Sequence, residues 1–155
     1  MKHATEYLPQ IVQKLQLLDD LGEEPSSLRI IEHMNLAVAF YRLHEIEHGI
    51  EISLEHFHCA KSLSNYILLQ ETDPSGSFHE FFITCIRYGS TIYQLGDAYV
   101  NDAESIFLFT QKMLEQASQA YLWEKGIAAY HLGILYLQHQ MYEHELLLQI
   151  LSIHH

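Results

Sequence analysis

The sequence predicts an all-α protein of stacked antiparallel helical hairpins, with about seven helices. Three observations lead there. Only 7 glycines and 3 prolines punctuate 155 residues, too few breakers for a chain of many short strands and tight turns. β-branched residues never alternate over the length of a strand. Apolar residues instead recur at three- and four-residue intervals, the spacing that gives a helix one buried face.

Ile11, Leu15, Leu18 and Leu21 mark a first amphipathic helix over 8–21, closed by Gly22 and the loop GEEPSS. A second apolar helix covers 28–43. A third covers 46–70, with Ile50, Leu54, Phe57, Leu63 and Ile67 along one face, and ETDPSG at 71–76 ends it. Ser77 and Glu80 have the spacing of a capping box ahead of a helix over 78–95. Asn101 and Glu104 have the same spacing ahead of 103–117, which places Asn101 at the N-cap and 96–101 in a turn. The last two helices are expected over 120–138 and 142–153. Connections this short make consecutive helices antiparallel. The expected organisation is one domain over 1–155, with an N-terminal helix and loop over 1–27 and hairpins over 28–70, 77–119 and 120–153.

Apolar residues make up 48% of the chain, enough to build a core. No run reaches the roughly 18–20 apolar residues of a membrane span, so no membrane is expected as a partner. Twenty acidic residues against 8 basic ones give a net charge of -12. Such a surface repels phosphate backbones and acidic lipid, so nucleic acid is not expected either, and a basic protein or peptide is. No apolar run of signal-peptide length lies near Met1, and the expected compartment is cytoplasmic. Cys59 and Cys85 fall inside apolar helical segments and are expected as buried free thiols. Trp123, alone of its kind, is expected to pack between helices.

One stretch points to chemistry. His44-Glu45-Ile46-Glu47-His48 is a literal H-E-x-x-H, which on a helix places two imidazoles one turn apart as zinc ligands with a glutamate as general base. Glu71 would be the third ligand of a zinc-dependent hydrolase. Against this, Arg42 and Glu47 put charge where a buried metal helix has none. Glu71 lies at the far end of the helix that His48 begins, on the order of 30 Å away. His56 and His58, two residues apart, point in nearly opposite directions and cannot share an ion. No phosphate-cradling glycine loop, C-x-x-C or G-x-S-x-G is present. The reading preferred is non-enzymatic, without cofactor or metal, with the zinc hydrolase as the alternative.

Three segments share a local grammar. LAVAFYRLHEI (36–46), YGSTIYQLGDA (88–98) and LGILYLQHQMY (132–142) each carry a small residue followed three positions later by a large one. The small residues are Ala37, Gly89 and Gly133; the large ones are Phe40, Ile92 and Tyr136. A break is expected a turn further on, at His44, Gly96 and Gln140. A small residue lets a neighbouring helix approach, and the large one fills the next gap.

Leu132-Gly133-Ile134-Leu135-Tyr136 followed by Tyr142 resembles the first-helix signature of the tetratricopeptide-repeat superfamily. Spacings of 52 residues from Ala37 to Gly89 and 44 from Gly89 to Gly133 exceed the roughly 34 of that family. With long second helices, they are similar to the repeat domains of bacterial peptide-sensing regulators of the Rap and Rgg/PlcR type. The resemblance implies a right-handed superhelix and a non-enzymatic protein- or peptide-binding module with a regulatory role; a small acidic chaperone shares the fold and is a further alternative. It implies a concave face lined by Asn35, Tyr41, Arg42, Arg87, Ser90, Tyr93, Gln94, His131 and Gln138, where Asn and Arg would hold a peptide backbone and Tyr would give flat apolar contact. Finally, ELLLQILSI at 145–153 is apolar on more than one face. Leu146, Leu147, Ile150, Leu151 and Ile153 are expected to form a homodimer interface, because repeat stacks need a covered end.

Overall fold

The computed structural model describes residues 27–42, 48–65, 77–117 and 121–153. Within them lie five α-helices and no strand: α1 (Ser27–Arg42), α2 (Gly49–Ser64), α3 (Ser77–Tyr93), α4 (Val100–Gln116) and α5 (Leu122–Ile153), with a 3-10 turn at Asp97–Tyr99. The helix expected over 8–21 lies outside the described residues.

Three elements differ from expectation. The helix expected over 46–70 is α2, which starts after the left-handed His48 and is capped at Asn65. The helices expected over 120–138 and 142–153 are one helix of 32 residues, so the last expected hairpin is not formed. No glycine or proline separates Gln138 from Tyr142, and Gln140 is a good helix former, so nothing local stops the helix there. The N-cap of α4 is Tyr99, not Asn101, and it has no side-chain cap. Gly96, at φ 123, makes the sharp turn only a glycine adopts freely. The 3-10 turn that follows then runs straight into α4, with the Tyr99 N–H donating to the Gly96 carbonyl at 3.0 Å, and Asn101 falls inside the first helical turn.

The helices form a bundle in which α1 packs on α2, α3 on α4, and α5 on both α4 and α3, while α1 also touches α3 and α2 touches α4. Phe57, Phe82, Phe107, Ile30, Met34, Ile92, Ile106, Met113 and Leu135 are essentially fully buried at its centre. Every phenylalanine except Phe40 is buried, and among the described tyrosines Tyr88 is. Phe57 meets Phe109 edge-on at 5.6 Å, which joins α2 to α4.

Two close approaches hold the pairs. Between α1 and α2, the Ser53 hydroxyl donates to the Ala37 carbonyl at 2.5 Å and accepts from the Tyr88 hydroxyl of α3 at 2.8 Å. Ser53 and Ala37 are both fully buried, and the absence of a large side chain at either position is what lets the backbones meet. Burial drives the Tyr88 phenol well above its ordinary value, with Asp102 adding to the rise and the Ser53 hydrogen bond opposing both; its proton stays in place to donate. Between α3 and α4, a Cβ built on Gly89 would stand 2.7 Å from Phe107 Cε1 and 3.1 Å from Ile106 Cγ2. Only glycine fits.

Helix α3 also runs parallel to α5. His79 Nδ1 lies 2.5 Å from Glu124 Oε1 at one end, and the Tyr93 hydroxyl donates to Gln138 Oε1 at the other. Both pairs are 45 residues apart in sequence, so the two helices keep one register over four turns.

Three more expectations are corrected. Cys59 is exposed while Cys85 is buried, and both are free; position 59 lies two residues past Phe57, almost opposite the buried face of α2. Trp123 is exposed, because its neighbour Glu124 takes the inward position. Gly133 and Tyr136 are exposed too, and nothing lies within 4 Å of a Cβ on Gly133, since the helix meant to fold back over them continues straight on.

Candidate functional site

The residues expected on the concave face lie on α1, α3 and α5, the three helices that sit side by side. Asn35, Arg42, Arg87, Gln94 and Gln138 are exposed. Tyr41 is half-buried and packs against the core. Ser90 and Tyr93 are half-buried on α3. His131 is drawn toward α4, where its ring stacks on Phe107 at 5.7 Å and 8°.

Two of the nine meet directly. Tyr93 and Gln138, hydrogen-bonded to each other, line a cleft of about 400 Å³ together with Asp97, Val100, Asn101 and His139. That volume lies in the range of ligand sites. Four elements build it: the end of α3, the 3-10 turn, the start of α4 and the middle of α5. The sharp turn at Gly96 brings Asp97, an exposed carboxylate, to the cleft wall. Val100 and the Tyr93 ring give an apolar floor, and the Asn101 and Gln138 amides can each donate and accept. The sequence does not single out Asp97, Val100 and Asn101 as binding residues; it marks 96–101 as a turn and Asn101 as an N-cap, which reads as a connection.

No protein-family model matches the chain, no curated protein matches it, and no solved structure matches it. The chemistry must therefore be read from the site itself.

Of the H-E-x-x-H stretch only His48 lies among the described residues. Helix α1 ends at Arg42 and α2 starts at Gly49, with His48 between them at φ 62 in the left-handed region. His48 is therefore not itself a helical residue, whereas a zinc site of this kind carries both histidines on one helix. The His48 Nδ1 instead lies 3.1 Å from Glu51 Oε2 on the first turn of α2. His44 and Glu71 lie outside the described residues. Among the described residues no group of three or more His, Cys, Asp or Glu is placed to hold a metal, and no helix is long and apolar enough to cross a membrane.

A histidine pair that the sequence did not reveal links α1 to α2. His33 and His56 have their Nδ1 atoms 3.2 Å apart, and His56 stacks on Phe40 at 5.5 Å. The contact spans 23 residues, so no local pattern marks it. Desolvation holds His56 below its usual 6.5, partly opposed by Glu55. Because the folded state disfavours the protonated ring, the unfolded chain takes up this proton first as pH falls below 6.5. His56 therefore lowers stability progressively from there down to its folded value. Urea midpoints of wild type and His56→Gln, compared between about pH 7.5 and about pH 5.5, should show a smaller acid loss in the variant. Equal losses would contradict the assignment.

Proposed function

We propose that the protein is a non-enzymatic binding module, a short stack of helical hairpins that holds an extended basic peptide or protein segment across α3 and α5. The observation that carries this reading is the Tyr93–Gln138 cleft, which joins two parallel helices and is walled by the Asp97 carboxylate. The 45-residue offset between α3 and α5 stands beside the 44 residues that separate Gly89 from Gly133. With the α1–α3 and α2–α4 contacts, it supports a repeat in which α1, α3 and α5 are equivalent first helices.

The chemistry of recognition follows from the lining. Asp97 would pair with a Lys or Arg head group, worth about 0.5–1 kcal/mol at an exposed site and more when the peptide excludes water. The Asn101 and Gln138 amides would hydrogen-bond the peptide backbone, and Val100 with Tyr93 would take an aliphatic stem. Arg87 and Asn35, farther along the same layer, would hold the peptide carbonyls. The net charge of -12 speeds encounter with a basic segment and makes binding weaken as salt rises.

Fluorescence anisotropy with a library of basic and acidic peptides tests this. Basic peptides should bind, and Asp97→Asn should weaken the best of them about tenfold, about 1.4 kcal/mol. Binding that ignores both peptide charge and Asp97→Asn would refute the site.

A further inference from the structure

Among the described residues of α5, one face is uncovered. Trp123 is 61% exposed, Tyr130 66%, Leu137 59% and Leu151 47%. These positions are multiples of seven residues apart, and Gly126 and Gly133 fall between them at the alternating three-and-four spacing of a coiled-coil seam. A Cβ on either glycine would meet nothing within 4 Å. The opposite side of α5 is the one that packs on the bundle, through Ala128, Leu132 and Leu135. Continued along the helix, the same spacing reaches Gln140, His144 and Leu147 before Leu151. None of these nine positions carries an Asp, Glu, Lys or Arg, in a chain with 20 acidic residues.

We propose that two copies of this chain associate through this face, their α5 helices side by side and antiparallel about a two-fold axis between positions 138 and 139. In an antiparallel seam the two kinds of core position face each other. The sequence then sets Gly126 opposite position 151 of the second copy, a leucine, Gly133 opposite position 144, a histidine, and Tyr130 opposite position 147, a leucine. In this register the smallest residue types of one half fall at positions opposite large ones of the other, so the sequence of the seam is complementary to itself, as a two-fold interface requires. Each copy places its 142–153 segment over the glycines of the other, the position that a folded-back hairpin would have filled within one chain.

Area and charge support a second copy as the occupant. Trp123, Tyr130, Leu137 and Leu151 leave on the order of 500 Å² of apolar surface open, larger than scattered exposed residues explain. Leu122 at 77% and Tyr136 at 37% exposed widen it toward the roughly 800 Å² per partner of a stable dimer. Two chains of charge -12 repel over most of their surfaces, and this uncharged stripe is where they can approach. The face lies away from the Tyr93–Gln138 cleft side of α5, so it stands or falls separately from the peptide reading.

Sedimentation equilibrium of the full chain should give a dimer. Its dissociation on dilution should shift the emission of the sole tryptophan, Trp123, to the red as the ring returns to water. Trp123→Glu and Tyr130→Glu, both surface changes, should each give a monomer with unchanged helical circular dichroism. Register is read by cross-linking in a Cys59→Ser background: Gly126→Cys with Leu151→Cys should form a covalent dimer on oxidation, and Gly126→Cys alone, far from its own copy across the axis, should not. A wild-type monomer at micromolar concentration, a dimer indifferent to both glutamates, or efficient cross-linking of Gly126→Cys to itself, as parallel helices would give, each overturns the proposal.

Discussion

Gly89→Ala should destabilise the protein by about 1–2 kcal/mol, although alanine is the better helix former. In an open helix the exchange would gain about 1 kcal/mol. Here the new methyl lands 2.7 Å from Phe107 Cε1 and 3.0 Å from Cζ, far inside carbon contact distance. Relief would require the Phe107 ring to move. That ring is 1% exposed and has the His131 ring lying parallel at 5.7 Å, so it cannot recoil without displacing α5. Overpacking of this kind costs about 1–3 kcal/mol per added group or two, and Gly89→Leu should exceed that and separate α3 from α4. Urea denaturation measures it. Phe107→Leu should recover part of the loss in the Gly89→Ala background, a coupling of about 1 kcal/mol in a double-mutant cycle. A Gly89→Ala protein at least as stable as wild type would mean that α3 and α4 are not this close.

His79→Leu should cost about 2 kcal/mol, chiefly through what it leaves behind. Glu124 is 5% exposed, and its Oε1 lies 2.5 Å from His79 Nδ1. The histidine is itself half-exposed, so solvent screens part of the interaction, and the value is set below the 3–5 kcal/mol of a fully buried pair. Removing the ring leaves a buried carboxylate without that partner. Glu124→Gln keeps the shape and a hydrogen bond while removing the charge, and should cost under about 1 kcal/mol. In the His79→Leu background it should restore stability, because the uncompensated charge is gone. If Glu124→Gln is as damaging as His79→Leu, the charge is not what the pair manages.

How much of this was legible in the sequence depended on the range of the signal. The helical class and the spans of α1, α3 and α4 followed from periodicity, since the buried faces that make the pattern are local. Gly89 was identifiable because a glycine inside an apolar helix has few uses other than close approach. The same grammar misled at Gly133. A small residue followed by an aromatic says that some helix comes close, but not whether it comes from the same chain, and no residue near Gln140 stops α5. The turn at Gly96 was visible, yet the cleft beside it was not. It needs α3, α4 and α5 brought together, and Asp97 and Asn101 carry no pattern of their own. The His33–His56 and His79–Glu124 contacts join positions 23 and 45 residues apart, and in a chain with 12 histidines no spacing rule picks those two out. The H-E-x-x-H match was the reverse case: a strong local pattern that needs a continuous helix, set at a residue with φ 62.

The central claim, that the cleft between α3 and α5 is the binding surface, is tested most directly by amide chemical-shift mapping of isotope-labelled protein titrated with the tightest basic peptide. The perturbed amides should cluster at Tyr93, Gln94, Asp97, Asn101 and Gln138, with a weaker trail toward Arg87. Shifts gathered instead around His48 and Glu51, or confined to α2 and the outer surface of α4, would contradict it.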